Sequence, residues 1–261
     1  MIFCSLYSGS SGNSIFVSSG NAKILIDAGL PGKNIEKALD DIQQNPSEID
    51  GIFITHEHSD HIKGVGVLSR KYDIPIYANE PTWRAMEKSI GKVKEHNIKI
   101  MPEGHVSIKD MDIVSFEIPH DAAGPQGYAI YHGSKKVSVA TDLGYFSEKV
   151  RDNIKDADVL LLESNHDTEM VKFGPYPYTL KRRILSNVGH LSNEDCAKAI
   201  VDMMDGKRRR VILGHLSETN NYPELAYQTT VSLLREKSIE LNKDIGLTVA
   251  KRDMPSNYIE F

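Results

Sequence analysis

The chain has only two cysteines in 261 residues, Cys4 and Cys196, far apart and outside any paired-cysteine motif. That excludes a disulfide scaffold and a sulfur-rich metal site, and it suits the reducing cytoplasm, the expected location. Each cysteine is expected as a small core residue. Long apolar runs are missing as well. The longest, such as Val159-Leu160-Leu161-Leu162, reach four or five residues, too few to span a membrane. The N-terminus, Met1-Ile2-Phe3-Cys4-Ser5-Leu6, lacks a basic leader and a long apolar segment, which argues against a signal peptide. Excess positive charge is absent: the net charge of −5 excludes a globally basic nucleic-acid-coating protein. Cations cluster only locally, at Lys181-Arg182-Arg183 and Lys207-Arg208-Arg209-Arg210. No low-complexity tract and no linker rich in Gly, Pro or Ser divides the chain, so residues 1–261 are expected to form one domain.

What the chain does contain is a cluster of potential metal ligands, Thr55-His56-Glu57-His58-Ser59-Asp60-His61. Three of only ten histidines fall in six positions, which outweighs the bland alternative of a polar surface loop. The run Ile49-Asp50-Gly51-Ile52-Phe53-Ile54 before it reads as a buried strand, so the cluster sits where a strand gives way to a loop. In extended backbone His56 and His58 point to the same side, while Asp60 and His61 follow where the chain turns and face a second ion from the other flank. The helical zinc motif His-Glu-x-x-His fails here, because its fifth position is Asp60 and the preceding residues read as strand.

Elsewhere, strands are expected over residues 1–7, 14–17 and 23–26, with the turn Ser8-Gly9-Ser10-Ser11-Gly12-Asn13 between the first two. Apolar spacing predicts helices over 33–44, 64–72, 82–90, 178–185, 193–204 and 223–237. Further strands are expected at 74–78, 106–108, 111–118, 128–131, 137–140, 159–163, 211–213 and 245–249. Hairpins come first and alternation with helices follows, in both halves. This pattern predicts an α/β (α+β) fold of two face-to-face sheets with helices outside, a four-layer αββα sandwich.

Three more strands end in a possible ligand: His120, Asp142 and His215. Alone, a histidine after a strand is usually structural and an aspartate there is usually a turn former. Their recurrence beside the four-ligand cluster gives seven N/O ligands without sulfur, a set that suits two divalent ions, zinc, manganese or iron. Two such ions about 3.5–4 Å apart generate hydroxide near neutral pH and clamp the attacking and leaving oxygens. A phosphodiester suits that site, provided a proton reaches the departing sugar oxygen, which a histidine can supply near neutral pH. Asp60 is the candidate to orient the nucleophilic water. His166, Arg182 and Arg183 are candidate substrate contacts, and Tyr176, Tyr178 and Lys181 precede His190 in the same stretch. The glycine-rich turn at 8–13 reads either as a phosphate-binding loop or as a plain hairpin turn. His96, His105 and His132 carry no motif and are expected at the surface.

His56-x-His58-x-Asp60-His61, His120, Asp142 and His215 resemble the five metal motifs of the metallo-β-lactamase-fold hydrolase superfamily. The resemblance implies that His56, His58 and His120 hold a first metal and Asp60, His61 and His215 a second, with Asp142 bridging. The run 156–163 and Gly189-His190-Leu191-Ser192 resemble ribonuclease Z-like phosphodiesterases, which implies that His190 protonates the leaving oxygen. The turn at 8–13, Glu163-Ser164-Asn165-His166-Asp167 and Gly214-His215-Leu216-Ser217 look most like the YycJ/WalJ branch, which implies a 5′-to-3′ exonuclease acting on DNA through a metal-bridging hydroxide. The chain departs from ribonuclease Z in lacking a long inserted arm. Competing readings are an ester, thioester or lactone hydrolase on the same scaffold and a di-iron redox protein. Relatives of the latter kind usually carry a carboxylate where this chain has His58.

Overall fold

The computed structural model describes residues 1–101 and 104–261. The first of its two sheets contains β1 (Ile2–Tyr7), β2 (Ser14–Ser18), β3 (Lys23–Ile26), β4 (Gly51–Phe53), β5 (Ile76–Ala78) and β6 (Ile98–Ile100). The second contains β7 (His105–Ile108), β8 (Met111–Glu117), β9 (Gln126–His132), β10 (Lys135–Ala140), β11 (Val159–Glu163), β12 (Arg209–Gly214) and β13 (Ile245–Val249). The last strand, β14 (Ser256–Glu260), returns to the first sheet, giving the orders β14-β1-β2-β3-β4-β5-β6 and β7-β8-β9-β10-β11-β12-β13.

Both sheets follow one plan. From β14 to β3, and from β7 to β10, neighbours are antiparallel. From β3 to β6, and from β10 to β13, they are parallel. Parallel neighbours need a crossover, and the helices supply it. They are α1 (Gly32–Asp41), the single turn α2 (Ser59–Ile62), α3 (Val65–Tyr72) and α4 (Glu80–Ile90) in the first half. In the second half they are α5 (Glu148–Ile154), α6 (Thr168–Phe173), α7 (Tyr178–Ile184), α8 (Asn193–Asp202) and α9 (Pro223–Glu236). Starts are capped locally: the Asn79 side chain accepts from Thr82 N before α4, and Ser192 from Asp195 N before α8.

Three apolar layers hold the sandwich together. Between the sheets, Phe3, Val17, Ile24 and Phe53 meet Ile113, Tyr128, Val139, Leu161 and Ile212. Outside the first sheet, Leu6, Phe16, Leu25 and Ile52 pack on Ile35, Leu39, Leu68, Trp83 and Met86 of the helices. Outside the second, Leu160, Leu162, Val211 and Leu213 pack on Val150, Cys196, Ile200, Val231 and Leu234. The unbroken run in β11 is thereby explained: Val159 and Leu161 face the other sheet while Leu160 and Leu162 face helices, so both faces are buried. Each such side chain contributes about 1.5–3 kcal/mol by leaving water.

This is the expected four-layer αββα sandwich. Cys4 and Cys196 are both fully buried, in different layers. The sequence reading missed α5, α6, β6 and β14. Of these, β14 lies against β1 with Ile2 opposite Glu260, an alignment only the folded chain provides. Among the described residues no helix is long and apolar enough to cross a membrane.

Candidate metal centre

The candidate ligands gather beyond the strand ends where each sheet changes from antiparallel to parallel, the kind of position where α/β folds form crevices. Asp27 follows β3, residues 55–61 follow β4, Asp142 follows β10, residues 164–166 follow β11 and His215 follows β12. His120 arrives from the loop after β8. After β4 the chain bends at Thr55 and Glu57, is extended at His58 and then closes into the one-turn α2, which carries Asp60 and His61 to the opposite flank. That turn is braced from below. Asn13 N donates to Asp60 O at 2.8 Å and Gly29 N to Asn13 O at 2.8 Å. A Cβ on Gly29 would fall 1.7 Å from Asp60 O, so only glycine allows this approach. In the turn at 8–13, Gly9 N donates to the Asn13 side chain and Gly12 N to Gly9 O. It props the ligand loop, which favours the plain-turn alternative for these two N–H groups.

One group of facing atoms is His56 Nε2, His58 Nδ1 and His120 Nε2, with 3.0 Å from His56 to His58 and 3.4 Å from His58 to His120. The second is Asp60, His61 and His215, with Asp60 Oδ2 3.6 Å from His61 Nε2. Asp142 lies between them: Oδ1 is 3.8 Å from His120 Nε2, while Oδ2 is 3.5 Å from His61 Nε2 and 2.9 Å from His215 Nδ1. The structure thus brings all seven candidate ligands to one place.

Three observations test whether this set fits divalent ions. Ligand atoms bound at about 2.0–2.1 Å sit about 2.9–3.4 Å apart at octahedral to tetrahedral angles, close to the spacings found. Asp142 Oδ2 and His215 Nδ1 are buried and close, yet neither makes an aligned hydrogen bond, an arrangement suited to a shared cation. In three of the five ligand histidines the far ring nitrogen is engaged. His56 Nδ1 donates to Thr55 Oγ1 at 3.0 Å, His61 Nδ1 to Asp27 Oδ2 at 2.7 Å and His120 Nδ1 to Gly189 O at 3.1 Å. Those bonds fix the ring orientations and leave each Nε2 as the inward-facing atom, free to ligate a cation once it carries no proton. The residues present therefore fit a divalent-metal site.

The charges follow the same geometry. Burial pushes His56 well below the usual imidazole range, and the neighbouring His61 adds to it. Burial opposes a charge on His61 and His215 too, but Asp142 overcomes it, with help from Asp27 and Glu163 respectively, and their pKa values rise to about 10 and about 9. At Asp142 burial is likewise overcome, here by His215 and His61, and the carboxyl is held well below its ordinary range.

His190 borders the centre. Its ring centroid lies 5.2 Å from that of His120 and 5.4 Å from that of His215. Its Nδ1 donates to Glu163 Oε1 at 2.8 Å. Glu163 is fully buried, and its other oxygen accepts from Leu143 N and Leu191 N, so the clamp is rigid. His166 is buried with an unpaired Nδ1, and burial lowers its pKa to about 4. Arg182 is exposed, while Arg183 makes a two-pronged pair with Asp121, next to His120. Arg183 is thus tied down and is not a free cation. The 207–210 cluster lies at the start of β12, the opposite end from His215; Arg209 is buried against Asp205 and Arg210 sits over Phe261. His96, His105 and His132 make only peripheral contacts with Asp73, Asp112 and Asp110.

Two residues were given no role on the sequence alone, although Glu163 stands in two of the motifs quoted for the resemblance. Asp27 ends a strand as Asp142 does, yet no motif around it separates it from a turn former. Its oxygens accept from Thr55 N (2.9 Å), Thr55 Oγ1 (2.8 Å) and His61. Glu163 closes an apolar strand, and a lone acid after such a run is the signal that marks it.

The profile of the family described as Beta-lactamase superfamily domain matches residues 22–216. The chain is 43% identical to the exodeoxyribonuclease YycJ of Bacillus anthracis, over 97% of this chain and 97% of the relative. It is 46% identical to the exodeoxyribonuclease WalJ of Streptococcus pneumoniae serotype 2, over 92% of this chain and 90% of the relative. Among solved structures, the metallo-β-lactamase fold protein YhfI of Bacillus subtilis superposes with a TM-score of 0.70 at 14% identity, covering 98% of this chain and 100% of that one. At that identity the likeness concerns the fold.

Proposed function

The chain belongs to the β-lactamase superfamily, and from that footing we propose that it is a dinuclear metal-dependent phosphodiesterase, a 5′-to-3′ DNA exonuclease with His190 as general acid. Residues 1–261 form its single hydrolase domain, because the apolar layer between the sheets draws on both halves. His56, His58 and His120 would hold one divalent ion, zinc, manganese or iron, and Asp60, His61 and His215 the other, with Asp142 between. Such ions, when bound, lower the pKa of water and neutralise charge on the phosphoryl oxygens.

The remaining work falls to side chains of this chain. Asp60, half-exposed at the rim, orients the attacking water. His190 donates the proton that the departing sugar oxygen requires. The observation that carries this role is the Glu163 clamp: with Nδ1 bonded to a buried carboxylate, the ring is held in one orientation and its Nε2 is left to carry the transferable proton. A thioester or activated ester needs little protonation of its leaving group, so a histidine held this firmly favours a phosphodiester over those substrates. The choice of DNA rests on the two relatives named exodeoxyribonuclease, at 43% and 46% identity over most of the chain.

The test is His190→Ala. Metal content by elemental analysis should be retained, while turnover of end-labelled DNA falls by ~10²-fold or more. Turnover of bis-p-nitrophenyl phosphate, whose leaving group needs little protonation, should fall much less. Undiminished DNA cleavage by the variant would remove His190 from its role. Failure of the manganese- and zinc-loaded protein to cleave any single- or double-stranded DNA or RNA would sink the nuclease reading.

A further inference from the structure

We propose that the segment from α6 to α7 is a stacking platform for an unpaired end of the nucleic-acid strand, with Phe173 and Tyr178 as its faces and Lys181 and Arg182 as its phosphate contacts. The inference rests on the nuclease reading above and deepens it: the substrate is bound as a single strand.

Phe173 is 82% exposed and Tyr178 74%, more than any other large hydrophobic side chain among the described residues. Burying an aromatic ring contributes about 1.5–3 kcal/mol, and these two forgo it while belonging to none of the three apolar layers. Between them runs Gly174-Pro175-Tyr176-Pro177. Its two prolines fix φ at their own positions and so restrict the backbone that joins the two aromatic residues. A restricted backbone matters, since a segment that needs less ordering on binding loses less entropy.

Charge points the same way. Residues 172–183 carry four cations, Lys172, Lys181, Arg182 and Arg183, and no acid, in a chain of net charge −5. Lys172 pairs with Glu169 and Arg183 with Asp121. Among the described residues Lys181 and Arg182 have no acidic partner: Lys181 Nζ rests on Lys172 O, and the Arg182 guanidinium sits 5.9 Å from the Tyr178 ring centroid. Two un-neutralised cations beside two exposed rings match the chemistry of a nucleotide strand, phosphate alternating with base.

The platform is fastened to the reaction centre at its far end. His190 N donates to Ile184 O at 3.0 Å, Asp121 N to Val188 O at 3.1 Å, and the Arg183–Asp121 pair adjoins His120. Within a paired duplex the base faces are covered and only the terminal pair exposes one, whereas an unpaired end offers successive bases to two rings. Stacking therefore selects an unpaired end, with little regard for sequence.

The test compares wild type with Phe173→Ala/Tyr178→Ala. Affinity is read by fluorescence anisotropy with a labelled, phosphorothioate-linked oligothymidylate of about a dozen nucleotides. The expected weakening is about 30-fold or more, and kcat/KM on single-stranded DNA should fall by a similar factor relative to that on bis-p-nitrophenyl phosphate. A Phe173→Trp/Tyr178→Trp variant keeps both faces and should bind within a few-fold of wild type. Equal single-strand affinity in wild type and the alanine variant overturns the platform and leaves the nuclease reading standing. So does a tryptophan variant as weak as the alanine one, or a change confined to oligomeric state, which would make the rings a contact between copies of the chain. A wild type that cleaves no nucleic acid overturns both readings.

Discussion

Asp27 and Asp142 stand at matching points in the two halves of the molecule. Each lies just past the strand at which its sheet changes from antiparallel to parallel, β3 in one and β10 in the other. Each has a left-handed backbone, with φ of 59° and 61°, a conformation aspartate tolerates better than most residues. Their surroundings differ. The Asp27 oxygens are saturated by Thr55 and His61, and burial raises its pKa. Asp142 keeps an unpaired buried oxygen and is held strongly acidic by His215 and His61 despite burial. The difference teaches how a repeated fold divides its labour. A carboxylate whose lone pairs are filled orients a neighbour, and one left partly open among imidazoles suits a cation.

The sharpest way to break this comparison is Asp142→Asn. Removing the charge shared by both ligand groups should lower kcat/KM on single-stranded DNA by about 10³-fold or more, and millimolar manganese should not restore it. Asp27→Asn should weaken metal affinity by about 10- to 100-fold, the usual cost of losing a carboxylate behind a ligating histidine. Excess manganese should then recover most of its activity. If the two variants prove equally inactive at saturating metal, the proposed division of labour is wrong.

A smaller effect concerns pH. His61 and His215 have pKa values raised from 6.5 to about 10 and about 9, so the stability they contribute is complete below about pH 6.5 and disappears as pH rises through about 9–10. Metal-stripped protein should therefore show a urea midpoint that falls between about pH 7 and pH 10. Metal-loaded protein should not, because its ligands are already deprotonated and rising pH removes the competing protons. A midpoint independent of pH in the stripped protein would show that Asp142 does not hold these two rings charged.

Much of this was legible in the chain itself, for a physical reason. The close spacing of His56 and His58 just past a strand end brings their rings together, although the backbone bends at Thr55 and Glu57 instead of continuing the strand, and an unbroken apolar run such as 159–162 demands burial on both faces. Local periodicity thus determined most of the strands, the layers and the ligand loop. It had no access to relations between residues distant in sequence. The 215 ring meets the 142 carboxylate across 73 positions (215 − 142), and β14 meets β1 across the whole chain. The same limit applies to charge. Arg182 and Arg183 are adjacent and chemically alike, yet only the folded chain brings Asp121 to one and leaves the other beside an exposed tyrosine. Asp27 and Asp142 are the same residue type in the same backbone conformation. Which of them would be saturated and which left open was decided only by the neighbours that packing delivered.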